Sequence, residues 1–365
     1  MLRIAGRGLP VVGRARMYVC GITPYDTTHL GHAATFVWAD VAARVLRQVG
    51  VEVDVCRNVT DVDDVLDAAA ARRGEPSDSF AAVQQFRFDR DMTGLGVRRP
   101  QHEPRAHNYV RQVVTLAGAL LELGAAYRRD GTVWFRGAGV AERAGLSGDA
   151  AAALTAEFGP AGEPGADDPA DVPIWRVARG DEAAWPSPWG EGRPGWHAGC
   201  AAMALTALGS AVDLHVGGAD LRFPHHAYQA AMAEAVTGVR PFARAGMHVG
   251  TVRVDGVRMA KSTGNLVLVS ELVAKHPPAA VRLLVLDRPW ALDWDYDPAG
   301  LDAATERLER LYAAASRGVG DSDPVAAEAV TAALLEDLDV PTALAVAEEA
   351  GGASARLVLS LLALT

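Results

Sequence analysis

The sequence predicts an α/β protein in which a parallel sheet is interrupted by an insertion and followed by a C-terminal helical lobe. Residues 15–19 and 51–55 are strand-like apolar runs, and a helical pattern over residues 33–46 separates them. Such a strand–helix–strand unit is typical of a parallel sheet with helices on both faces. Four prolines and three glycines within residues 159–173 indicate a linker. Beyond residue 297, apolar residues recur at helical spacing.

These patterns divide the chain into four segments. We expect residues 1–85 and 174–297 to form two halves of one domain, residues 86–173 an insertion, and residues 298–365 the helical lobe. Helical patterns over 80–93 and 105–123 precede a short strand at 132–135. The sheet is expected to resume at 211–215 and to continue through 281–286. The lobe is expected to contain helices over 301–316 and 324–350.

The composition limits the possible functions. The chain has 365 residues, half of them apolar, which is enough for a large core. The first 19 residues are broken by four arginines and a proline, and no apolar run approaches a membrane span, so we expect a cytoplasmic protein. Three widely spaced cysteines then indicate metal ligands or packing, not disulfides. The net charge of −10 argues weakly against a broad nucleic-acid surface.

Two short segments carry residues suited to a nucleotide phosphate. His29 and His32 stand at the start of the helical pattern, where free backbone N–H groups favour an anion. Taken alone, a histidine at a helix start is more often a cap or a core residue. The second segment runs from Arg258 through Lys261 to Ser262, in a loop between two apolar runs. The chain has only one other lysine, so Lys261 is a notable candidate to close over phosphates.

Both segments resemble the HIGH and KMSKS motifs of class I aminoacyl-tRNA synthetases. Further blocks, in the same order, resemble cysteinyl-tRNA synthetases and still more closely the related cysteine ligases of mycothiol synthesis. They cover residues 20–26, 58–64, 185–190, 192–197, 217–220 and 223–226. The resemblance implies a class I Rossmann-type (HUP) parallel sheet with an inserted connective domain. It also implies that ATP, with Mg²⁺, is cleaved to AMP and pyrophosphate.

The resemblance implies a zinc site at Cys20, Cys200 and His225. Spacing alone would not predict a metal there, and the two cysteines would otherwise be regarded as small buried hydrophobes. Zn²⁺ held by two thiolates and one imidazole keeps a fourth position for a substrate thiolate, which distinguishes cysteine from serine. Some synthetases of this type add a glutamate ligand where this chain has Gln229. Cys56, on a strand pattern, is expected to be a packing residue.

The remaining site residues are also implied by the resemblance. Thr23, Thr60 and Trp196 are expected to bind cysteine, although plain packing would equally explain the tryptophan. The expected ATP contacts are His29, His32, Gly217, Gly218, Asp220, Val249, Lys261 and Ser262. A solvated turn is the alternative interpretation of the glycine-containing segment. His29, His32, Lys261 and Arg258 are the expected catalytic residues. The central KMSKS serine is Ala260 here, which removes one phosphate donor.

The resemblance implies that cysteine is activated as cysteinyl-adenylate and transferred to an amine, with glucosaminyl-inositol as the leading acceptor. The family phrase Gly-Trp-His-x-Glu-Cys has Gly199 in place of glutamate, and the acid that usually follows His-His is Ala227. A paralogue serving another amine is therefore an alternative. A truncated cysteinyl-tRNA synthetase and a non-catalytic binding module are further alternatives. The short, non-basic tail argues against tRNA, and we expect a monomer acting on small molecules.

Overall fold

The computed structural model describes residues 1–25, 27–159, 165–180, 182–260, 263–317 and 324–365. Its strands are β1 (Arg3–Ile4), β2 (Arg7–Gly8), β3 (Arg14–Ile22), β4 (Glu52–Val59), β5 (Ala126–Arg129), β6 (Thr132–Phe135), β7 (Val172–Val177), β8 (Gly192–Pro194), β9 (Val212–Gly218), β10 (Ala243–Val249), β11 (Val252–Val254), β12 (Val257–Arg258) and β13 (Trp294–Asp295). Within these described ranges, no helix is long and apolar enough to cross a membrane.

The helices alternate with these strands. They are α1 (Leu30–Gln48), α2 (Asp64–Ala71), α3 (Ser77–Gly94), α4 (Val110–Glu122), α5 (Val140–Arg143), α6 (Gly148–Phe158), α7 (Trp196–Leu208), α8 (Ala227–Thr237), α9 (Val269–Val273), α10 (Pro278–Leu286), α11 (Pro298–Ala315), α12 (Pro324–Leu335), α13 (Val340–Ala350) and α14 (Gly352–Leu361). Short helical turns cover residues 106–109 and 219–226.

The predicted parallel sheet is confirmed. Its strand order is β10-β9-β3-β4, and every neighbouring pair is parallel. The predicted strand–helix–strand unit is β3, α1 and β4, although each element is longer than the apolar run that indicated it. Strand β10 was not predicted from the sequence. Because all four strands are parallel, their carboxyl ends lie at one edge, where open sheets of this kind bind ligands.

A second sheet lies between the two halves of the first along the chain. It is antiparallel, with the order β5-β6-β7-β8, and it packs α4, α7 and α8 into a separate apolar core. Because β7 and β8 belong to this sheet, it extends to Pro194, beyond the boundary expected at residue 173. The four-segment division remains a prediction, and the sheet's extent favours an insertion that ends near residue 194.

The predicted linker has an anchored end. Residues 160–164 lie outside the described ranges, but Asp171 is buried and accepts hydrogen bonds from the Tyr127 hydroxyl at 2.8 Å and the Gly137 N–H at 2.8 Å. The end of this segment that enters β7 is therefore fixed to the antiparallel sheet.

One prediction about the second half of the chain was wrong, and one predicted helical segment is divided into two helices. Residues 281–286 form helix α10, not a strand, and all of 280–286 are buried. An apolar run buried on all sides looks the same in sequence whether it is helix or strand, and Pro278 in the first turn favours the helix. Residues 324–350 form two helices, α12 and α13, because Asp337 and Leu338 adopt positive φ values of 56° and break the helical path.

Arg282 fastens the helical lobe to the sheet domain. Its side chain is fully buried on α10 and donates to the Asp40 carboxylate of α1 at 2.6 Å. It also donates to the carbonyls of Leu362, just after α14, and of Leu95, just after α3. Asp40 receives a second cation from Arg44 at 2.7 Å. One guanidinium thus satisfies acceptors from three separate elements in the interior.

We expect Arg282→Met to lower the free energy of unfolding by about 3 kcal/mol or more. Loss of one partner leaves a buried carboxylate undercompensated and two buried carbonyls unpaired. Urea denaturation followed by circular dichroism measures this change. Arg14→Met is the matched control, since Arg14 pairs with Glu52 on the surface and such pairs contribute at most about 1 kcal/mol. Equal losses in the two variants would contradict the proposed fastening.

Candidate active site and metal-binding cluster

A single cleft at the carboxyl edge of the parallel sheet collects most of the predicted site residues. Its volume is about 570 Å³, within the range of small-molecule sites. The predicted residues that line it are Cys20, Thr23, His29, His32, Thr60, Trp196, Cys200, Gly218, Asp220, His225, Val249 and Arg258. Gly217 does not line the cleft. Lys261 and Ser262 lie outside the described residues, so their predicted roles remain predictions.

A β-bulge in strand β3 sets the direction of the Cys20 side chain. Val19 pairs with Arg57 and Ile22 with Val59, so β3 advances three residues while β4 advances two. Such a bulge turns the strand locally and redirects its side chains. The Gly21 N–H, at the bulge, donates to the Asn58 side chain at 3.0 Å. A Cβ at position 21 would lie 1.7 Å from the Asn58 carbonyl oxygen, so only glycine fits there.

Cys20, Cys200 and His225 form a buried cluster with metal-ligand geometry. One potential ligand atom from each lies within 4.8 Å of the other two. Tetrahedral Zn²⁺ with sulfur and nitrogen ligands places those atoms about 3.3–3.8 Å apart, so a small adjustment would suffice. The three residues come from different elements: β3, α7 and the turn before α8. The described residues thus offer a three-ligand set that opens into the cleft.

Burial favours the neutral forms of Cys20 and His225 in the metal-free protein. Burial raises the pKa of the Cys20 thiol well above its usual range, and neighbouring Cys200 raises it further. Burial lowers the pKa of His225 well below 6.5, so its imidazole is neutral, which is the form that binds metals. The His225 Nδ1 lies 2.8 Å from His197 Nδ1, which leaves its other ring nitrogen for an ion. A bound cation would supply the charge that favours the thiolates.

Cys56 is a packing residue, as predicted. It is fully buried in a cluster that includes Tyr18, Ala204 and Phe242. Burial raises the pKa of its thiol to about 12, and among the described residues it belongs to no metal-ligand group.

The two histidines of the first motif lie at the start of α1. His29 is the N-cap, and its Nδ1 accepts from the His32 N–H at 3.4 Å. Their rings stack with centroids 3.8 Å apart. Burial, with contributions from His32 and Arg258, lowers the pKa of His29 to about 2. His29 therefore acts as a neutral hydrogen-bonding group, and any positive charge for a phosphate comes from the helix terminus and from arginine or lysine.

Two outside contacts and one internal residue hold the loop that carries Arg258. The Arg258 guanidinium forms an ion pair with Asp220 and lies over the ring of Phe158, at the end of α6, with 5.2 Å to the centroid. Asn265 accepts from the Ala260 N–H at 3.0 Å and donates to the Arg258 carbonyl at 3.2 Å. The loop therefore contacts both the sheet edge and the insertion.

Small polar and aromatic groups complete the cleft. Trp196, the first residue of α7, stacks on His225 with centroids 4.2 Å apart. Thr60 follows β4 and accepts from the Asn58 amide at 3.0 Å. Trp196 therefore contributes both an aromatic wall and a packing surface for the candidate ligand, and the two interpretations left open by the sequence are compatible.

The sequence did not single out several residues that surround the cluster. His197, His215, His226 and His248 are arranged around the predicted ligands, with His226 Nδ1 at 2.9 Å from His248 Nε2. The available sequence signal was the His225-His226 pair. His215 precedes Gly217 on β9, and Gly217 must be small because a Cβ there would lie 2.7 Å from the His226 ring.

Because these imidazoles are buried, we expect the free energy of unfolding of the metal-free protein to depend on pH. Burial lowers the pKa of His197 and His215 to about 3 and of His248 to about 4. Between pH 6.5 and 4 the unfolded chain therefore binds more protons, so the free energy of unfolding falls as the pH falls. Each excess proton contributes about 1.4 kcal/mol per pH unit. Above pH 6.5 both states are neutral at these positions and the effect ends.

Urea denaturation of the metal-free protein at a series of pH values between 4.5 and 8 measures this dependence. His248→Gln removes one titrating group and should make the slope below pH 6.5 shallower by up to about 1.4 kcal/mol per pH unit. A variant with the wild-type slope would show that His248 is not kept neutral by the fold.

Comparisons with known proteins identify relatives of this chain. The family model described as tRNA synthetases class I (C) catalytic domain matches residues 10–306. The L-cysteine:1D-myo-inositol 2-amino-2-deoxy-alpha-D-glucopyranoside ligase of Acidothermus cellulolyticus is 43% identical over 353 residues, which cover 94% of this chain and 87% of that protein. The cysteine–tRNA ligase of Alkalilimnicola ehrlichii is 42% identical over 341 residues, 92% of this chain and 73% of that protein.

The fold also has a counterpart among solved structures. Mycobacterium tuberculosis methionyl-tRNA synthetase bound by methionyl-adenylate superposes with a TM-score of 0.67 at 16% identity, over 95% of this chain and 84% of that chain. The class I synthetase-type fold predicted from the sequence is thereby confirmed. On the extent of the family match and the identity of its relatives, the chain belongs to the family of class I synthetase catalytic domains of the cysteinyl type.

Proposed function

We propose that the protein is an ATP-dependent ligase that activates L-cysteine as cysteinyl-adenylate and transfers it to the amine of glucosaminyl-inositol. One observation carries the proposal: the Cys20–Cys200–His225 cluster opens into the same cleft as His29, His32 and Asp220. A thiol-selective group and a phosphate-binding helix start thus face one substrate volume.

Zn²⁺ is the cation that we propose for this cluster. Two thiolates and one imidazole suit it, and the open fourth position would bind the substrate as its thiolate. Serine cannot form an equivalent bond, so the amino acid would be selected by the ligand atom and not by pocket size. Trp196 stacks on His225 and limits the pocket on one side. Thr23 and Thr60 line the same cleft, and we propose that they hold the amino and carboxylate groups.

The adenylation step uses groups at the helix start and the loop. The cysteine carboxylate attacks the α-phosphorus of ATP, the bond to pyrophosphate breaks, and cysteinyl-adenylate forms. His29 and His32 donate hydrogen bonds to the phosphates together with the α1 terminus. Arg258 and, by proposal, Lys261 offset the developing charge, and Ser262 donates a hydrogen bond to the phosphates. Mg²⁺ would supply further positive charge when bound. Gly218 and Val249 form the wall against the adenosine, and Asp220 accepts from the ribose hydroxyls.

In the second step an amine attacks the acyl carbon, and AMP leaves. The name of the Acidothermus cellulolyticus relative supports glucosaminyl-inositol as acceptor. The cysteine–tRNA ligase relative, at nearly the same identity, makes tRNA the second candidate. A different small amine is the third candidate. Gly199 and Ala227 support it, because they stand where the family sequence usually has acidic residues.

Two further proposals concern the compartment in which the reaction takes place and the oligomeric state of the protein. The three cysteines are free and buried, and ATP is the co-substrate, so we place the reaction in the cytoplasm. We also propose that a monomer is the working unit, as expected from the sequence.

Zinc-loaded protein should catalyse cysteine-dependent exchange of labelled pyrophosphate into ATP without any RNA. Serine should support this exchange about 10⁴-fold less well, since it lacks the thiolate. Cys20→Ser should abolish both exchange and metal binding. Cys56→Ser is the matched control because Cys56 is outside the cluster, and its exchange should remain near the wild-type rate. Exchange that is absent from the zinc-loaded wild type would overturn the proposal of an adenylating enzyme.

The acceptor is identified by incubating the protein with ATP, cysteine and a panel of amines and analysing the products by mass spectrometry. We expect a cysteinyl amide of glucosaminyl-inositol and one AMP for each amide formed. Cysteinyl-tRNA formation without any amide product would make the second candidate correct. A product with a different amine alone would favour the third.

A further inference from the structure

Asn58 joins the neighbouring strands β3 and β4 where they end at the cleft. It is the penultimate residue of β4, it is only 1% exposed, and it lines the cleft beside Thr60. Its amide has two partners: Oδ1 accepts from the Gly21 N–H at 3.0 Å, and Nδ2 donates to Thr60 Oγ1 at 3.0 Å. One buried amide therefore contacts both the bulge after Cys20 and a hydroxyl that we assign to the substrate.

The two partners fix the orientation of this amide. A backbone N–H can only donate, so the amide oxygen must face Gly21 and the amide nitrogen must face Thr60. Because an amide nitrogen does not accept hydrogen bonds, Thr60 Oγ1 uses a lone pair for this contact. The hydroxyl hydrogen of Thr60 therefore points away from Asn58. Within the part of the chain that the structure describes, no carbonyl or side chain accepts it.

The cleft is where an acceptor for this hydrogen can enter. Thr60 is 6% exposed and lines the cleft, and a buried hydroxyl hydrogen without an acceptor costs free energy. The ammonium group of cysteine is only a donor, and its thiolate is the proposed ligand of the cation. The carboxylate is the acceptor that remains, so the Thr60 hydroxyl is oriented to donate to it.

We propose that Asn58 is a positioning residue, which holds the Thr60 hydroxyl as a donor to the cysteine carboxylate and holds the strand that presents Cys20. This inference rests on the proposed function, because it takes cysteine as the substrate. The contact with Gly21 acts on the metal cluster through the bulge, whereas the contact with Thr60 acts on the substrate alone. The two contacts of Asn58 can therefore be separated by mutation.

Asn58→Asp separates the two contacts, because aspartate keeps an oxygen for the Gly21 N–H but replaces the donor nitrogen with a second acceptor. The Thr60 hydroxyl would then donate to position 58 and be lost to the carboxylate. Isothermal titration calorimetry on the zinc-loaded protein compares the affinities for cysteine and for cysteamine, which lacks the carboxylate. We expect Asn58→Asp to weaken cysteine binding by about 10- to 100-fold, the contribution of a hydrogen bond to a charged group, and cysteamine binding by less than about threefold.

Thr60→Val completes a double-mutant cycle, because valine has the shape of threonine but no hydroxyl. In that background most of the effect of Asn58→Asp on cysteine binding should disappear, which leaves only the effect of the added charge. Asn58→Ala removes the donor without adding charge, so it should also lower the cysteine affinity more than the cysteamine affinity. It serves as the second variant if Asn58→Asp does not fold, which circular dichroism checks.

The matched control is Asn108→Asp, the same exchange at an exposed residue that does not line the cleft, and it should leave both affinities unchanged. Equal losses for cysteine and cysteamine would show that Asn58 only supports the strand and would overturn the inference. An equal effect of Asn58→Asp with and without the Thr60 hydroxyl would also overturn it. Wild type that binds cysteine but lacks pyrophosphate exchange would overturn the proposed adenylation without affecting this comparison, and wild type that binds no cysteine would overturn both.

Discussion

The register of β3 between its two neighbours is the constraint on which the site depends. Tyr18 pairs with His215 of β9 on one side and with Cys56 of β4 on the other. Because side chains alternate along a strand, a shift by one residue would turn Cys20 away from its partners. The bulge at Cys20 and Gly21 then sets the direction of the thiol. The Cys20–Cys200–His225 cluster includes this residue, so it cannot form unless the strand is correctly placed.

Around that strand the interior is polar but contains little charge. The buried imidazoles are neutral and satisfy one another in pairs, His197 with His225 and His226 with His248. This arrangement lowers the cost of burying so many ring nitrogens and fixes which nitrogen of each ring remains available. The same arrangement makes the metal-free state sensitive to acid.

The sequence predicts the parts of this protein that follow from local pattern and ordered motifs. The strand–helix–strand unit could be predicted because its apolar residues follow a strand pattern in two segments and a helical pattern between them. The cleft residues could be predicted because they lie in sequence blocks that resemble the family. The α10 segment was misassigned because a helix buried on all sides has no polar face to reveal its period. The contacts of His215 and Gln229 with Cys20 were missed because strand β9 and helix α8 bring these side chains together only through tertiary packing.

The contact between Arg258 and Asp220 links nucleotide entry to the insertion. A ribose that takes the Asp220 carboxylate, as proposed, competes with Arg258 for the same oxygens. Both side chains are partly exposed, so the ion pair contributes at most about 1 kcal/mol and a nucleotide can displace it at little cost. The freed guanidinium also lies against Phe158 of α6. Occupancy of the ribose position would thus exchange one partner of Asp220 for another and leave the Arg258 guanidinium against Phe158.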